Sequence, residues 1–248
     1  DVQVQVWDGG LADTQAIAVT VSNVYEPPLI TSGGGGDTAT YEISENAAAV
    51  TTVTSDIDFG KVGTYTIIGG ADANKFAINP ATGALRFITA PNYEVPSDAD
   101  ANGIYAVKIQ VSDGVGGIDI QDITITVKDV NEAPIISGNG AKASLVVSEN
   151  TKAVTTVTAT DVDASETATY SLSGTDAALF AISSTGELSF VNAPNYEGAL
   201  DAGANNIYDL TVTVTDKEGL TNSRDMSVSV ANVNEAPEIT NNGGAQSI

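Results

Sequence analysis

No cysteine and no histidine occur in this 248-residue chain, and lysine and arginine together number nine. The first absence rules out disulfide bracing, so stability has to come from elsewhere. Together they remove the thiol nucleophile and the commonest general base from any catalytic scheme. Carboxylate pairs remain: Asp161 with Asp163, or Glu94 with Asp98, has the residue types of a glycosidase pair. Each falls in a repeated pattern or a turn, however, and the chain is expected not to be an enzyme. The shortage of basic residues weighs against nucleic acid, because neutralising phosphates takes clustered Lys and Arg and no basic run is present. No stretch reaches the roughly 18 to 20 apolar residues of a membrane span, and Asp1-Val2-Gln3 does not begin a signal peptide. Any export signal is expected outside this stretch.

What is present is acid on a folded background. Hydrophobic residues make up 42% of the chain, enough for real cores, and charged residues only 17%, unlike a disordered acidic tail. The 32 Asp and Glu set the net charge at −23, and self-repulsion on that scale opposes compact packing unless counter-ions bind.

The acids are ordered. Ser44-Glu45-Asn46, Asp56-Ile57-Asp58, Asn92-Tyr93-Glu94, Ser112-Asp113 and Asp129-Val130-Asn131-Glu132-Ala133-Pro134 follow one another in one block. The block returns as Ser148-Glu149-Asn150, Asp161-Val162-Asp163, Asn195-Tyr196-Glu197, Thr215-Asp216 and Asn232-Val233-Asn234-Glu235-Ala236-Pro237. Acid and amide oxygens at fixed places are what a hard divalent cation such as calcium needs from a protein. Pro28, Pro134 and Pro237 lie 106 and then 103 residues apart, the size of one small domain and too long for a solenoid repeat. Each unit should therefore own its core.

Val107, Ile109 and Val111 alternate with small or polar neighbours, as do Ile123, Ile125 and Val127, and the pattern recurs at Leu210, Val212, Val214 and at Met226, Val228, Val230. Period two means half-buried strands, and Gly, Asn, Asp and Pro punctuate the intervals as turns. The fold class is all-β: tandem β-sandwiches of about seven strands each with Greek-key connections. Corresponding positions predict the cores: Tyr65 with Tyr170, Phe76 with Phe180, Leu85 with Leu188, Phe87 with Phe190 and Tyr105 with Tyr208. The expected division is residues 1–24 as the last two strands of a preceding repeat, 25–134 and 135–237 as complete repeats, and 238–248 as the start of another. The chain thus reads as a window on a longer array.

The ordered motifs resemble the cadherin repeat, with its early Glu-Asn, its Asp-x-Asp, its central acidic pair, its late Asp and its Asn-Ala-Pro-type linker. That resemblance implies calcium ions between successive units. It assigns Glu45, Asn92 and Glu94 of one unit, linker residues Asp129, Asn131 and Glu132, and Asp161, Asp163 and Asp216 of the next to the middle junction. It assigns Glu26, Asp56, Asp58 and Asp113 to the first junction, and Glu149, Asn195, Glu197, Asn232, Asn234 and Glu235 to the third. Asn92 and Asn195 stand where the family has Asp, and Glu132 and Glu235 replace a linker Asp, so the outermost ion is expected to bind more weakly. At the first junction Asn23 and Tyr25 replace the acid and amide of Asp129 and Asn131.

One further loop, Asp98 to Gly103, has the oxygen spacing of the first half of an EF-hand. Its twelfth position is Ile109 rather than Glu, and an Asp/Asn turn is the plainer reading. The function expected is that of a calcium-rigidified stalk, matrix or filament segment of a secreted or surface-attached protein, acting in adhesion. Its partners would be calcium, neighbouring repeats and other copies of the chain. The bacterial source rests on the resemblance to bacterial cadherin-like repeats. The rival is a module that binds polysaccharide or another protein, for which the single Trp7 and the core-bound aromatics offer no clear platform.

Overall fold

Strands with one buried face settle into sheets because a single register puts all their apolar side chains inward. The computed structural model describes residues 2–58, 60–137, 142–163 and 168–236. The chain divides into two compact units, Asp1–Val130 and Asn131–Ile248. The expected start of a following repeat at 238–248 lies outside the described residues.

The first unit opens with an antiparallel hairpin, β1 (Val2–Trp7) and β2 (Ala12–Ile17), with Val2 opposite Ile17 and Trp7 opposite Ala12. Every described residue of the hairpin is exposed, because two strands cannot enclose a core. The sandwich follows: β3 (Leu29–Ile30), β4 (Thr38–Ser44), β5 (Ala49–Thr52), β6 (Ser55–Asp56), β7 (Thr64–Gly69), β8 (Phe76–Ile78), β9 (Ala84–Phe87), β10 (Ile104–Ser112) and β11 (Ile118–Lys128). One sheet has the order β4-β11-β10-β7, and β5-β9-β8 with the pair β3-β6 forms the rest. A 3₁₀ turn, Ser32–Gly34, separates β3 from β4, and Val53 and Thr54 separate β5 from β6, so the two short pieces β3 and β6 pair with each other apart from the two larger sheets. β4 runs parallel to β11, while the other pairs are antiparallel.

The second unit repeats the plan with β12 (Ile135–Ile136), β13 (Lys142–Ser148), β14 (Ala153–Thr156), β15 (Ala159–Thr160), β16 (Thr169–Ser173), β17 (Phe180–Ile182), β18 (Glu187–Phe190), β19 (Ile207–Thr215) and β20 (Thr221–Ala231). Its sheets are β13-β20-β19-β16, β14-β18-β17 and β12-β15. No α-helix occurs among the described residues; the only helical turns are three short 3₁₀ segments.

Each unit has its own core. In the first, Phe76, Leu85 and Phe87 meet Tyr105, Val107, Ile109, Ile123 and Ile125. In the second, Phe180, Leu188 and Phe190 meet Tyr208, Leu210, Val212 and Val228. The aromatic trio is the same in both: Phe76 and Phe87 have centroids 4.3 Å apart and Tyr105 stands edge-on to Phe87 at 4.9 Å, while Phe180, Phe190 and Tyr208 give 4.3 and 5.1 Å. Tyr170 departs from expectation in being half-buried, packed at the margin of its core where Tyr65 is buried in its own. Gly83 and Gly186 sit at φ +72° and +82°, and a Cβ there would lie 2.1 and 2.0 Å from the carbonyl oxygens of Val53 and Val157. Only glycine allows so close a backbone approach.

Candidate metal centres at the ends of the units

Glu45 and Glu149 occupy the same position at the end of a strand and are almost wholly buried, at 3% and 2% exposure. The asparagine that follows each turns the chain through a left-handed conformation, Asn46 at φ +60° and Asn150 at +62°, a region that Asn tolerates better than most residues. The buried carboxylate then ties two distant segments. Glu45 accepts the N–H of Tyr93 and of Val130, both at 2.9 Å. Glu149 accepts those of Tyr196 at 2.8 Å and Val233 at 2.7 Å. So the Asn-Tyr-Glu loop and the outgoing linker meet at one end of each unit.

At that trailing end of the first unit, Glu94 brings a carboxylate oxygen within 4.8 Å of one on Glu45 and of one on Asp129. At the corresponding end of the second unit, oxygens of Glu149, Glu197 and Glu235 all lie within 4.8 Å of one another. Two amides offset part of this repulsion: Asn150 donates to Glu235 at 2.6 Å and Asn232 to Glu197 at 2.8 Å. Asn92 and Asn195 spend their side-chain oxygens on their own turns, accepting from Val95 and from Gly198.

The leading end of the second unit gathers Asn131, Glu132, Asp161, Asp163 and Asp216. Asn131 donates to Asp216 Oδ2 at 2.7 Å, and the Glu132 N–H donates to Asp163 Oδ2 at 2.8 Å. Asp216 Oδ1 accepts the N–H groups of Gly219 and Leu220. Burial pushes the Asp216 carboxyl up, yet the Asn131 amide and the Leu220 and Gly219 N–H groups hold it below its ordinary value. Asp161 Oδ2 and Asp163 Oδ1 are shielded from solvent and accept no hydrogen bond. Buried carboxylate oxygens left so are costly, and a cation satisfies them where a water-sized dipole does less. With only oxygen ligands and no thiolate or imidazole in the chain, the set suits a hard cation.

The leading end of the first unit differs. Asn23 donates to Asp58 Oδ1 at 2.9 Å and Tyr25 Oη donates to Asp113 Oδ2 at 2.6 Å. Asp56 lies on β6 opposite Leu29, and Glu26 is exposed in the linker. Among the described residues no group of three close acids includes any residue of this end. Of the third junction's residues, Asn234 is exposed.

The Asp98 loop is a turn that caps itself. Asp98 accepts Asn102 N–H at 2.8 Å and Gly103 N–H at 3.1 Å, and Asn102 donates to Asp100. Asp201 does the same with Asn205 and Asn206. Sequence reasoning missed Asp72 and Asp176, buried acids that each take two N–H groups from the neighbouring loop and strand, Ala99 with Ala106 and Ala202 with Asp209. An Asp ahead of two small residues looks like any turn; only its burial distinguishes it.

The Tyr196 and Val233 N–H groups hold the Glu149 carboxyl below its usual 4.5. A depressed acid contributes stability that is present above its ordinary value and lost as pH falls through the folded one. In chelator, the melting temperature of the second unit is therefore expected to fall as pH drops below about 4.5, and Glu149→Gln to flatten that dependence. Melting curves from pH 7 to 3 check it; parallel slopes for the two proteins would remove Glu149 from the account.

Sandwiches with this strand plan are found in solved structures. Human protocadherin-24 EC1-2 matches with a TM-score of 0.54 at 20% identity, covering 87% of this chain and 100% of that one. Drosophila N-cadherin EC1-4 matches with a TM-score of 0.52 at 22% identity, covering 84% of this chain and 50% of that one. In sequence, residues 131–229 match the family described as bacterial Ig domain. Human protocadherin Fat 1 is 32% identical over 185 residues, 71% of this chain and 4% of that protein. Human protocadherin-15 is 28% identical over 157 residues, 60% of this chain and 8% of that protein. The chain thus spans a small fraction of the length of these relatives. Fold and sequence put it in the class of Ig-like β-sandwich proteins. Within that class its strand plan is that of the cadherin ectodomain structures, and its sequence is similar to protocadherins over most of its length.

Proposed function

We propose that this chain is a calcium-stiffened segment of a large extracellular or cell-surface repeat protein of bacterial origin, serving adhesion as part of a stalk, matrix or filament. The observation that carries this reading is the trio Glu149, Glu197 and Glu235, whose oxygens crowd within 4.8 Å at one end of a unit. The shielded, unbonded oxygens of Asp161 and Asp163 at the other end support it. Calcium is the cation named because the ligands are all oxygens, with carboxylates dominant and amides interspersed. The repeats would run from 25 to 134 and from 135 to 237, with their linkers at the junctions. With calcium the acids attract a common counter-charge; without it they repel one another, and the linker between repeats loosens. Further partners of this reading are neighbouring repeats and other copies of the chain.

Small-angle scattering and calcium stoichiometry test it together. Glu45→Ala should broaden the scattering-derived spread of maximum dimensions in calcium and lower the number of ions bound, while both cores stay folded by circular dichroism. An unchanged profile with unchanged stoichiometry would count against the assignment.

A further inference from the structure

The linkers leading into the two repeats share one fastening, a neutral donor on the late Asp, and differ at the Asp-x-Asp pair. In the second, Asn131 holds Asp216, while Asp161 Oδ2 and Asp163 Oδ1 stay shielded without a donor. In the first, the residues aligned with Asp129 and Asn131 are Asn23 and Tyr25, and each supplies a neutral donor. The Asn23 amide meets Asp58 Oδ1 at 2.9 Å, whereas the aligned residue of the next linker, Asp129, is an acid whose side chain carries no such donor. The Tyr25 hydroxyl meets Asp113 Oδ2 at 2.6 Å, a short hydrogen bond to a charged acceptor. The other oxygen of Asp113 accepts the N–H groups of Val115 and Gly117, both at 2.9 Å, so both oxygens of this buried carboxylate are engaged.

Space has been made for the phenol. A Cβ on Gly117 would lie 2.3 Å from the Tyr25 hydroxyl oxygen, 2.6 Å from Asp113 Oδ2 and 2.7 Å from Pro28 Cδ. The glycine therefore leaves the volume that the hydroxyl fills, and its φ is not in the left-handed region that would otherwise explain it.

We propose that Asn23 and Tyr25 form a clasp that holds the linker of the first repeat to Asp58 and Asp113 without a divalent cation, whereas the linker of the second repeat depends on one. The contrast rests on the calcium reading above; the clasp itself stands on hydrogen bonds within one unit. An array with such a mixture keeps one linker ordered when calcium falls and releases the other.

The test is backbone ¹⁵N relaxation on the whole chain, in excess calcium and in excess chelator. In chelator, residues 22–26 are expected to keep order parameters near the rigid value of about 0.85, while residues 129–133 fall below about 0.6. Tyr25→Phe, which removes only the hydroxyl, should bring residues 22–26 below about 0.6 in chelator with β10 and β11 unchanged. Gly117→Ala, which drives the hydroxyl off Asp113, should do the same. Loss of order at 22–26 in chelator with the native chain, or no effect of either substitution, would overturn the clasp. If residues 129–133 stay rigid in chelator, the calcium reading fails instead, and the Tyr25→Phe result still decides the clasp.

Discussion

Stripped of calcium, the chain is expected to melt far below its temperature in excess calcium. A ligand bound only by the folded array stabilises it by RT ln(1 + [L]/Kd), about 2.7 kcal/mol per site at a hundredfold excess over Kd. For domains of this size each kcal/mol moves a melting temperature by roughly 4–8 °C, so one site accounts for on the order of 10 °C or more. The shift should titrate with calcium concentration and be much smaller with magnesium, which demands a tighter octahedron than long, mixed carboxylate and amide ligands readily supply. Differential scanning calorimetry in calcium, magnesium and chelator reads all three. Superimposable curves would leave the acid clusters as solvated surface.

The second large effect belongs to the interior. Phe87→Ala should remove about 3–5 kcal/mol from the first unit, the usual range for deleting a buried phenyl ring. Phe87 is 1% exposed and touches both Phe76 and Tyr105, so the cavity opens in the centre of the aromatic trio rather than at an edge that can collapse. Because the second unit has a separate core, its transition should stay in place while that of the first drops by more than about 10 °C. Phe190→Ala should give the mirror result. A single transition moving as a whole in both variants would show that the two cores unfold as one.

Much of this architecture can be read along the chain, and the reason is physical. Strands such as Ile104–Ser112 bury one face over nine residues, long enough for period two to rise above composition. The two-residue pieces Leu29–Ile30 and Ile135–Ile136 are too short to show any period, so they emerge only from their pairing with Ser55–Asp56 and Ala159–Thr160. The acids that gather at the unit ends were legible because their order recurs. Which of them spend their oxygens on the backbone was not. Asp98 and Glu45 are both acids beside turns, yet Asp98 closes its own loop while Glu45 spans to Tyr93 and Val130. At Tyr25 the sequence shows a missing amide ligand; that its hydroxyl donates in the same place depends on the room left by Gly117.

The parallel pairing of β4 with β11 runs unbroken from Thr38 opposite Asp122 to Ser44 opposite Lys128. These strands lie near the two ends of the first repeat, so tension applied through the linkers pulls them in opposite directions along their common axis. The whole ladder is then loaded in shear, and its hydrogen bonds must yield together rather than peel one at a time from an end. β13 and β20 repeat the arrangement from Lys142 opposite Asp225 to Ser148 opposite Ala231. In each unit such a load would be borne by a backbone ladder inside the sandwich, so the length of that ladder would set its breaking strength.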